Sequence, residues 1–384
     1  MRVLLSAGEA SGDMYGGALA AELRRRLGEG AELFGMGGPA MQKAGVSLIV
    51  DIADSSVMGF VEVLGAVPAL LRRRRFLFQQ AKQRRPDGAV LIDFPGFHMG
   101  LARKLRRIGI PVVYFIPPKA WAWRPRRARR IARTTDRVLC IFPFSAEFYQ
   151  RAGANVVYVG HPLVSLLSER SLPSPQEARQ RLGLLEGAPV LGLFPGSRRT
   201  EVERLLPPMV DAAAHLSGQV PGLRCVLALA PTLSESVLAP LTGHPFGDQV
   251  RVVRGESQTV MRASTVLLAK SGTTTLEATL LGVPMVVAYK MAPLTFWLVR
   301  RLVRVPYSAL PNLVLGREVV PELYQEEVTG ERLAELLLPL LTDSDAAEAQ
   351  RRELAEAAAR LGPGDAIARA ADAVLELLDG AKEP

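Results

Sequence analysis

Four short loops hold the residue types that chemistry needs, and each directly follows an apolar run of strand length. Asp93 opens the stretch Asp93-Phe94-Pro95-Gly96-Phe97-His98. A carboxylate at the end of a buried strand can serve as a general base. An Asp that caps the next helix has the same sequence signature, and the residues alone leave both readings open. His98 could back up Asp93, although a lone His more often packs or faces solvent. The loop 6–13 holds Gly8, Glu9, Ser11, Gly12 and Asp13. Small residues there would let a substrate approach the backbone. A tight strand-to-helix turn, with Asp13 near the helix start, explains the same residues. The loop is neither GxGxxG nor a P-loop, because no Gly-Lys-Ser/Thr follows.

The other two loops suit an anion. Pro195-Gly196-Ser197-Arg198 stands between a strand pattern and a helical pattern. N–H groups at a helix start bind anions, and Arg198 adds a planar fork of donors matched to phosphate. An ordinary turn with a solvated Arg is the alternative. Ser271, Gly272 and Thr273 open a further helix, with Glu277 one turn along it on nearly the same face as Thr273. A carboxylate there could accept two ribose hydroxyls while the helix start holds phosphate. Good N-caps and an early Glu would also read this way. Two such loops in one half of the chain favour a nucleoside-diphosphate site.

Parallel strands must position these loops. The strand patterns in the front half are 2–6, 88–93, 111–116, 136–142 and 155–159; those in the back half are 189–194, 223–229, 250–253, 264–269 and 284–288. Near-continuous apolar runs alternating with helical stretches predict two doubly wound α/β sheets. Such a pair is expected to face a central crevice, with ligands at the carboxyl ends of the strands. The expected division is residues 1–167, 168–343 and a helical tail, 344–384, that packs back on the first domain. Ser174, Pro175 and Glu177 predict a capped helix just past the first boundary.

Charge is unevenly spread over the 384 residues. Residues 1–165 carry 25 Lys+Arg against 12 Asp+Glu, a net of +13, and residues 166–384 carry a net of −4. A basic front half points to an anionic partner. Residues 58–78 set apolar positions at helical spacing beside Arg72, Arg73, Arg74 and Arg75. Leu64, Val67, Leu70 and Leu71 could enter a membrane interface while the arginines meet anionic headgroups. A core-facing stripe with a solvated Arg face is the alternative. Pro68 is expected to kink this segment or to start a second helix. A second basic run, 124–133, holds six Arg without interleaved aromatics, so no nucleic-acid partner is expected. No run reaches 18 uncharged apolar residues, which predicts no transmembrane helix. Cys140 and Cys225 cannot build a disulfide framework, and the four His have no zinc spacing. A cytoplasmic setting, no cofactor and no metal are the expectations. Asp343-Ser344-Asp345 spells DxD, but it opens a helix and reads as a cap.

Taken together, these blocks resemble the lipid-A-disaccharide synthase family, metal-independent glycosyltransferases of GT-B type. They are AGEASGD (7–13), GMGGPAMQKAG (35–45), MGFVEVL (58–64), the Asp93 strand end, WAWR (121–124), GHPLV (160–164), PGSR (195–198), SGTTTLE (271–277), 289–303 and PNLVLGREVVPELYQ (311–325). They run in order over almost the whole chain. Pro117 and Ser165 depart from the family's usual small hydroxyl and Asp. The resemblance implies joining UDP-2,3-diacylglucosamine to 2,3-diacylglucosamine 1-phosphate, with inversion, to give the β-1,6 disaccharide 1-phosphate and UDP. It implies Asp93 as base. It assigns Gly196, Ser197, Arg198, Ser271, Gly272, Thr273, Glu277 and Asn312 to the nucleotide, and the 8–13 residues to the acceptor side. It places the protein on the inner face of the cytoplasmic membrane. A crossing tail can also swap between subunits, which leaves a homodimer open.

Overall fold

The computed structural model describes residues 1–52, 60–123, 126–168, 171–302 and 305–380. The chain divides into two compact units, Met1–Leu166 with Leu361–Pro384, and Leu167–Arg360. Each is built on one parallel sheet whose strands are covered on both faces.

The first unit holds β1 (Arg2–Ala7), β2 (Glu32–Gly37), β3 (Ser47–Asp51), β4 (Gly88–Ile92), β5 (Val112–Phe115), β6 (Arg137–Cys140) and β7 (Val156–Tyr158). Their order is β3-β2-β1-β4-β5-β6-β7. The order reverses between β1 and β4, which run parallel with Ser6 beside Leu91 and Ala7 beside Ile92. At such a switch point the following loops diverge to opposite faces and leave room for a ligand. β4 is buried along its whole length, as its run Gly-Ala-Val-Leu-Ile requires.

The second unit repeats the plan. It holds β8 (Val190–Phe194), β9 (Arg224–Leu229), β10 (Val250–Arg254), β11 (Val266–Lys270), β12 (Met285–Tyr289) and β13 (Glu322–Tyr324), in the order β10-β9-β8-β11-β12-β13. Its switch point lies between β8 and β11. The loops singled out for chemistry therefore follow the switch-point strands in both units. The helix Pro175–Arg181 begins with the expected capping box: Ser174 accepts from Glu177 N–H, and Glu177 accepts in return.

Two expectations need correction. The tail does not act as one piece. The helix Ser344–Ala359 belongs to the second unit, where Leu354 joins the core and Arg317 pairs with Glu353 and Glu356. Only the part from Leu361 belongs to the first unit. There His161 N–H donates to Leu361 C=O at 2.7 Å, and Ser165 Oγ donates to Gly364 C=O at 2.5 Å. Leu378 is buried against Gly88, where a Cβ would displace it. Ser165 thus has a structural partner.

Of the two outcomes expected at Pro68, the start of a second helix is excluded, since one helix runs Phe60–Arg84 through it. An interior Pro removes one N–H bond and crowds the carbonyl four residues back, and here the helix continues past it. Leu64 and Val67 lie outside the described side chains. Leu70 is half-buried against the core that holds Leu77 and Ala81, so it is packing rather than an exposed anchor. The Leu70-to-Leu77 step of two turns puts both on the inner face. Arg73 and Arg74 are also half-buried, and Arg74 lies against Gly100 of the next helix. The outward stripe is Leu71, Arg72, Arg75 and Phe76.

Candidate functional site

In the first unit the site grows from the end of β4. Asp93 and Phe94 both adopt left-handed backbone, with φ 48° and 44°. Pro95 follows at the first position of the helix Pro95–Arg107, and its ring disfavours the right-handed helical region for Phe94. The Phe94 ring fills the space beside Gly8, where any Cβ would collide with it. Gly8 is thus glycine because the loop after β1 and the loop after β4 pack directly together.

This turn places the Asp93 carboxyl in a cavity of about 300 Å³, shared with Pro117, Lys119, Trp121, Arg127 and Phe142. Burial pushes its pKa up to about 6, and the negative charge of Glu9 pushes the same way. Phe94 N–H and Lys119 oppose the rise. A carboxylate with that pKa is mostly ionised at neutral pH yet basic enough to take a proton. The two cysteines are buried thiols held up to about 12, which leaves them inert.

Not every residue of the loop 6–13 faces the cavity. Glu9 is half-buried and acts on Asp93, while Ser11 is exposed. Asp13 is a correction. It is buried, and its oxygens accept from the N–H groups of Gly38 at 2.7 Å, Ala40 at 2.9 Å and Met41 at 3.1 Å. It caps the start of the neighbouring helix Pro39–Lys43 and is committed to the fold. Gly12 is buried at ordinary packing distance from Ala7 and Ile92.

In the second unit the loop after β8 holds Gly196 at φ 120°, a backbone that suits glycine. Ser197 and Arg198 donate their N–H groups to Glu201 Oε2 at 3.1 and 3.3 Å. The other Glu201 oxygen meets Lys270 Nζ at 3.0 Å. An anion does occupy this helix start, but it is the chain's own carboxylate. The Arg198 side chain remains 64% exposed. The helix Thr273–Leu280, after β11, differs. Gly272 stands at its N-cap, so the cap residue brings no side chain to bond the first turn. Thr273 is exposed there and Glu277 is half-buried. Lys270 Nζ lies beside Gly272, so this uncapped start also has a cation.

Two residues expected to touch the nucleotide serve the fold instead. Asn312 is fully buried and its amide is saturated. Its Nδ2 donates to Val320 C=O at 2.8 Å and Glu322 Oε1 at 2.7 Å, and its Oδ1 accepts from Val319 and Val320 N–H. Ser271 is buried, with Oγ donating to Ser308 C=O at 2.9 Å. Glu322 also accepts from Ser308 Oγ at 2.6 Å and Ala309 N–H at 3.0 Å. The network fastens 308–324 to the loop after β11. Glu201 and Glu322 carry roles that sequence analysis does not mark, because the Lys270 and Asn312 side chains they meet are brought close only by the fold. Among the described residues, no three His, Cys, Asp or Glu side chains gather to hold a metal ion. Asp343 caps its helix, accepting from Asp345 and Ala346 N–H.

Two doubly wound α/β units, each with its reactive groups beyond the switch-point strands, define a GT-B protein. Solved structures agree on the fold. A UDP-GlcNAc 2-epimerase from Neisseria meningitidis, bound to UDP-GlcNAc, superposes with TM-score 0.67 at 14% identity, covering 98% of this chain and 100% of that one. The calicheamicin glycosyltransferase CalG4 gives 0.60 at 18% identity, covering 100% and 99%. Sequence narrows the class. The lipid-A-disaccharide synthetase family model matches residues 3–373. The lipid-A-disaccharide synthase of Myxococcus xanthus (strain DK1622) is 44% identical over 381 residues, 98% of this chain and 97% of that protein. That of Geobacter sulfurreducens is 41% identical over 377 residues, again 98% and 97%. The chain belongs to the lipid-A-disaccharide synthetase family and is a glycosyltransferase of lipid A disaccharide formation.

Proposed function

We propose that the chain joins UDP-2,3-diacylglucosamine to 2,3-diacylglucosamine 1-phosphate. The observation that carries this reading is the half-buried Asp93 in its cavity, with a pKa raised to about 6. Asp93 takes the proton of the acceptor's 6-hydroxyl. That oxygen attacks the donor's anomeric carbon, and the bond from that carbon to the UDP oxygen breaks. UDP leaves with the electron pair and the configuration inverts. In the second unit the uncapped start of Thr273–Leu280, with Gly272 and Thr273, receives the diphosphate, and Glu277 accepts the ribose hydroxyls. Arg198, from the loop Gly196-Ser197-Arg198, stabilises the charge that develops on leaving UDP, and Lys270 adds a second cation. Glu9 and the exposed Ser11 form the acceptor-side lip, on a loop whose Gly8 and Gly12 are taken up by packing against Phe94, Ala7 and Ile92.

Acylated substrates reside in a bilayer, so the enzyme must reach them there. No helix among the described residues is long and apolar enough to cross a membrane. Docking on the inner face of the cytoplasmic membrane uses the outward stripe Leu71, Arg72, Arg75 and Phe76. Leu71 and Phe76 are 41% and 45% exposed, unusual for large apolar side chains. The helix Pro95–Arg107 packs beside it and exposes Arg103, Arg106 and Arg107, with Ile108 just beyond. The helix Arg126–Thr134 packs next and exposes Arg126, Arg129, Arg130 and Arg133. Each arginine near anionic lipid contributes about 1 kcal/mol, and the apolar side chains add insertion.

Three outcomes test these readings. Mass spectrometry of a reaction with the two acylated sugars should find the disaccharide 1-phosphate and UDP; no disaccharide would refute the reaction. In calorimetry with UDP, Arg198→Ala and Glu277→Gln should each weaken binding by about 2 kcal/mol, the scale of a charge-assisted contact. Unchanged affinity in both would remove the assigned nucleotide site. Leu71→Ser, Arg72→Ser, Arg75→Ser and Phe76→Ser together should release the folded protein from anionic vesicles in a sedimentation assay. All four positions are exposed or outward, so folding should survive. Sedimentation like wild type would mean that this stripe is not the membrane contact.

A further inference from the structure

The main-chain carbonyl oxygen of Asp93 is held as closely as its carboxyl. It accepts two hydrogen bonds from buried side chains, from His98 Nδ1 at 2.8 Å and from Tyr114 Oη at 2.8 Å. The preceding peptide group is anchored as well, with Asp93 N–H donating to Phe115 C=O at 3.0 Å. His98 and Tyr114 are both fully buried. They come from different elements, His98 from the helix Pro95–Arg107 and Tyr114 from β5.

A carbonyl can only accept, so His98 Nδ1 carries a proton. Burial pushes the His98 pKa down to about 4, so the ring is neutral at physiological pH. Its Nε2 is therefore a lone pair, and it accepts from Ser6 Oγ at 2.8 Å. The tautomer is fixed at both ends. Ser6 sits on β1 beside Leu91 of β4. The chain Ser6–His98–Asp93 C=O thus ties both switch-point strands to one peptide group.

That peptide group needs holding. Two successive non-glycine residues in the left-handed region are strained, and such strain persists only where surroundings over-determine it. We propose that His98 and Tyr114, with Ser6 behind His98, are positioning residues that clamp the Asp93 carbonyl and thereby hold its carboxyl in the cavity. They act on the main chain and touch no reacting atom. This rests on the assignment of Asp93 as base.

The clamp has a signature that ordinary core packing lacks. Released from it, Asp93 relaxes toward common backbone and its carboxyl gains solvent. The acid limb of the rate profile, set near 6 by burial and by Glu9 against Phe94 N–H and Lys119, then moves toward the ordinary Asp range. Tyr114 faces the same carboxyl but is buried as a neutral phenol, its own pKa pushed well up. It brings no charge to the profile.

The test compares Tyr114→Phe, His98→Leu and His98→Asn with wild type. Asn places an N–H donor near the site of His Nδ1, whereas Leu removes it. Tyr114→Phe and His98→Leu should lower kcat by roughly tenfold or more, the scale of a misplaced reacting group. KM for the UDP donor should stay as it was, and the acid limb should move down. His98→Asn should recover much of both. Carbon-13 NMR titration of the Asp93 carboxyl reads the same shift without turnover. If wild type forms no disaccharide, the reaction reading falls while this titration still decides the clamp. If His98→Leu does not fold, Tyr114→Phe, which keeps the ring, carries the comparison. A folded Tyr114→Phe with an unmoved titration overturns the clamp, as does a loss of kcat with the acid limb unchanged.

Discussion

Asp93 stands where a buried strand ends and an abrupt left-handed turn begins, and much of the first unit converges on that turn. β4 delivers it, β5 supplies Phe115 C=O and Tyr114, and β1 supplies Ser6 through His98. The ring of Phe94 fills the space left by Gly8. A carboxylate on a loose loop would be solvated and a weak base. Holding the backbone in a strained form keeps the carboxyl in partial burial, and partial burial raises its pKa into a useful range. The energetic cost lies in the main chain, and the buried donors offset it.

In the second unit the two helix starts after the switch-point strands are built differently. One helix start after a switch-point strand is satisfied internally by Glu201, and Lys270 neutralises that carboxylate. The other start is left without a side-chain cap. The buried network of Asn312, Ser308, Glu322 and Ser271 fixes the segment behind it. Every polar atom buried there needs a partner, and the amide of Asn312 meets four. Part of what looked like ligand contact in sequence is internal framework, as the bonds of Asn312 and Ser271 show.

Strand runs that are apolar throughout, such as 88–92 and 266–269, read directly as parallel strands, and the loops after them could be found without a structure. β2 escaped that reading because Glu-Leu-Phe-Gly-Met-Gly carries two glycines; Gly35 is required, since a Cβ there would strike the Leu5 carbonyl. β13 is a three-residue strand with little pattern to read. Helical spacing gave Leu70 and Leu71 equal standing as membrane anchors, yet adjacent residues lie about 100° apart on a helix and only one faces outward. Asp13 and Asn312 share a reason: a polar residue in a loop block looks the same in sequence whether it meets a ligand or a buried backbone group. His98 was legible as a residue but not in its role, which depends on a carbonyl that no sequence pattern marks.

The most direct test of the account is the single-turnover rate of Asp93→Asn, with disaccharide followed by mass spectrometry and UDP affinity followed by calorimetry. Asn preserves size and most hydrogen bonding but cannot take the proton. The account requires the rate to fall by about a hundredfold or more, the range of general-base catalysis, with UDP binding nearly unchanged. A folded variant that turns over like wild type would contradict it.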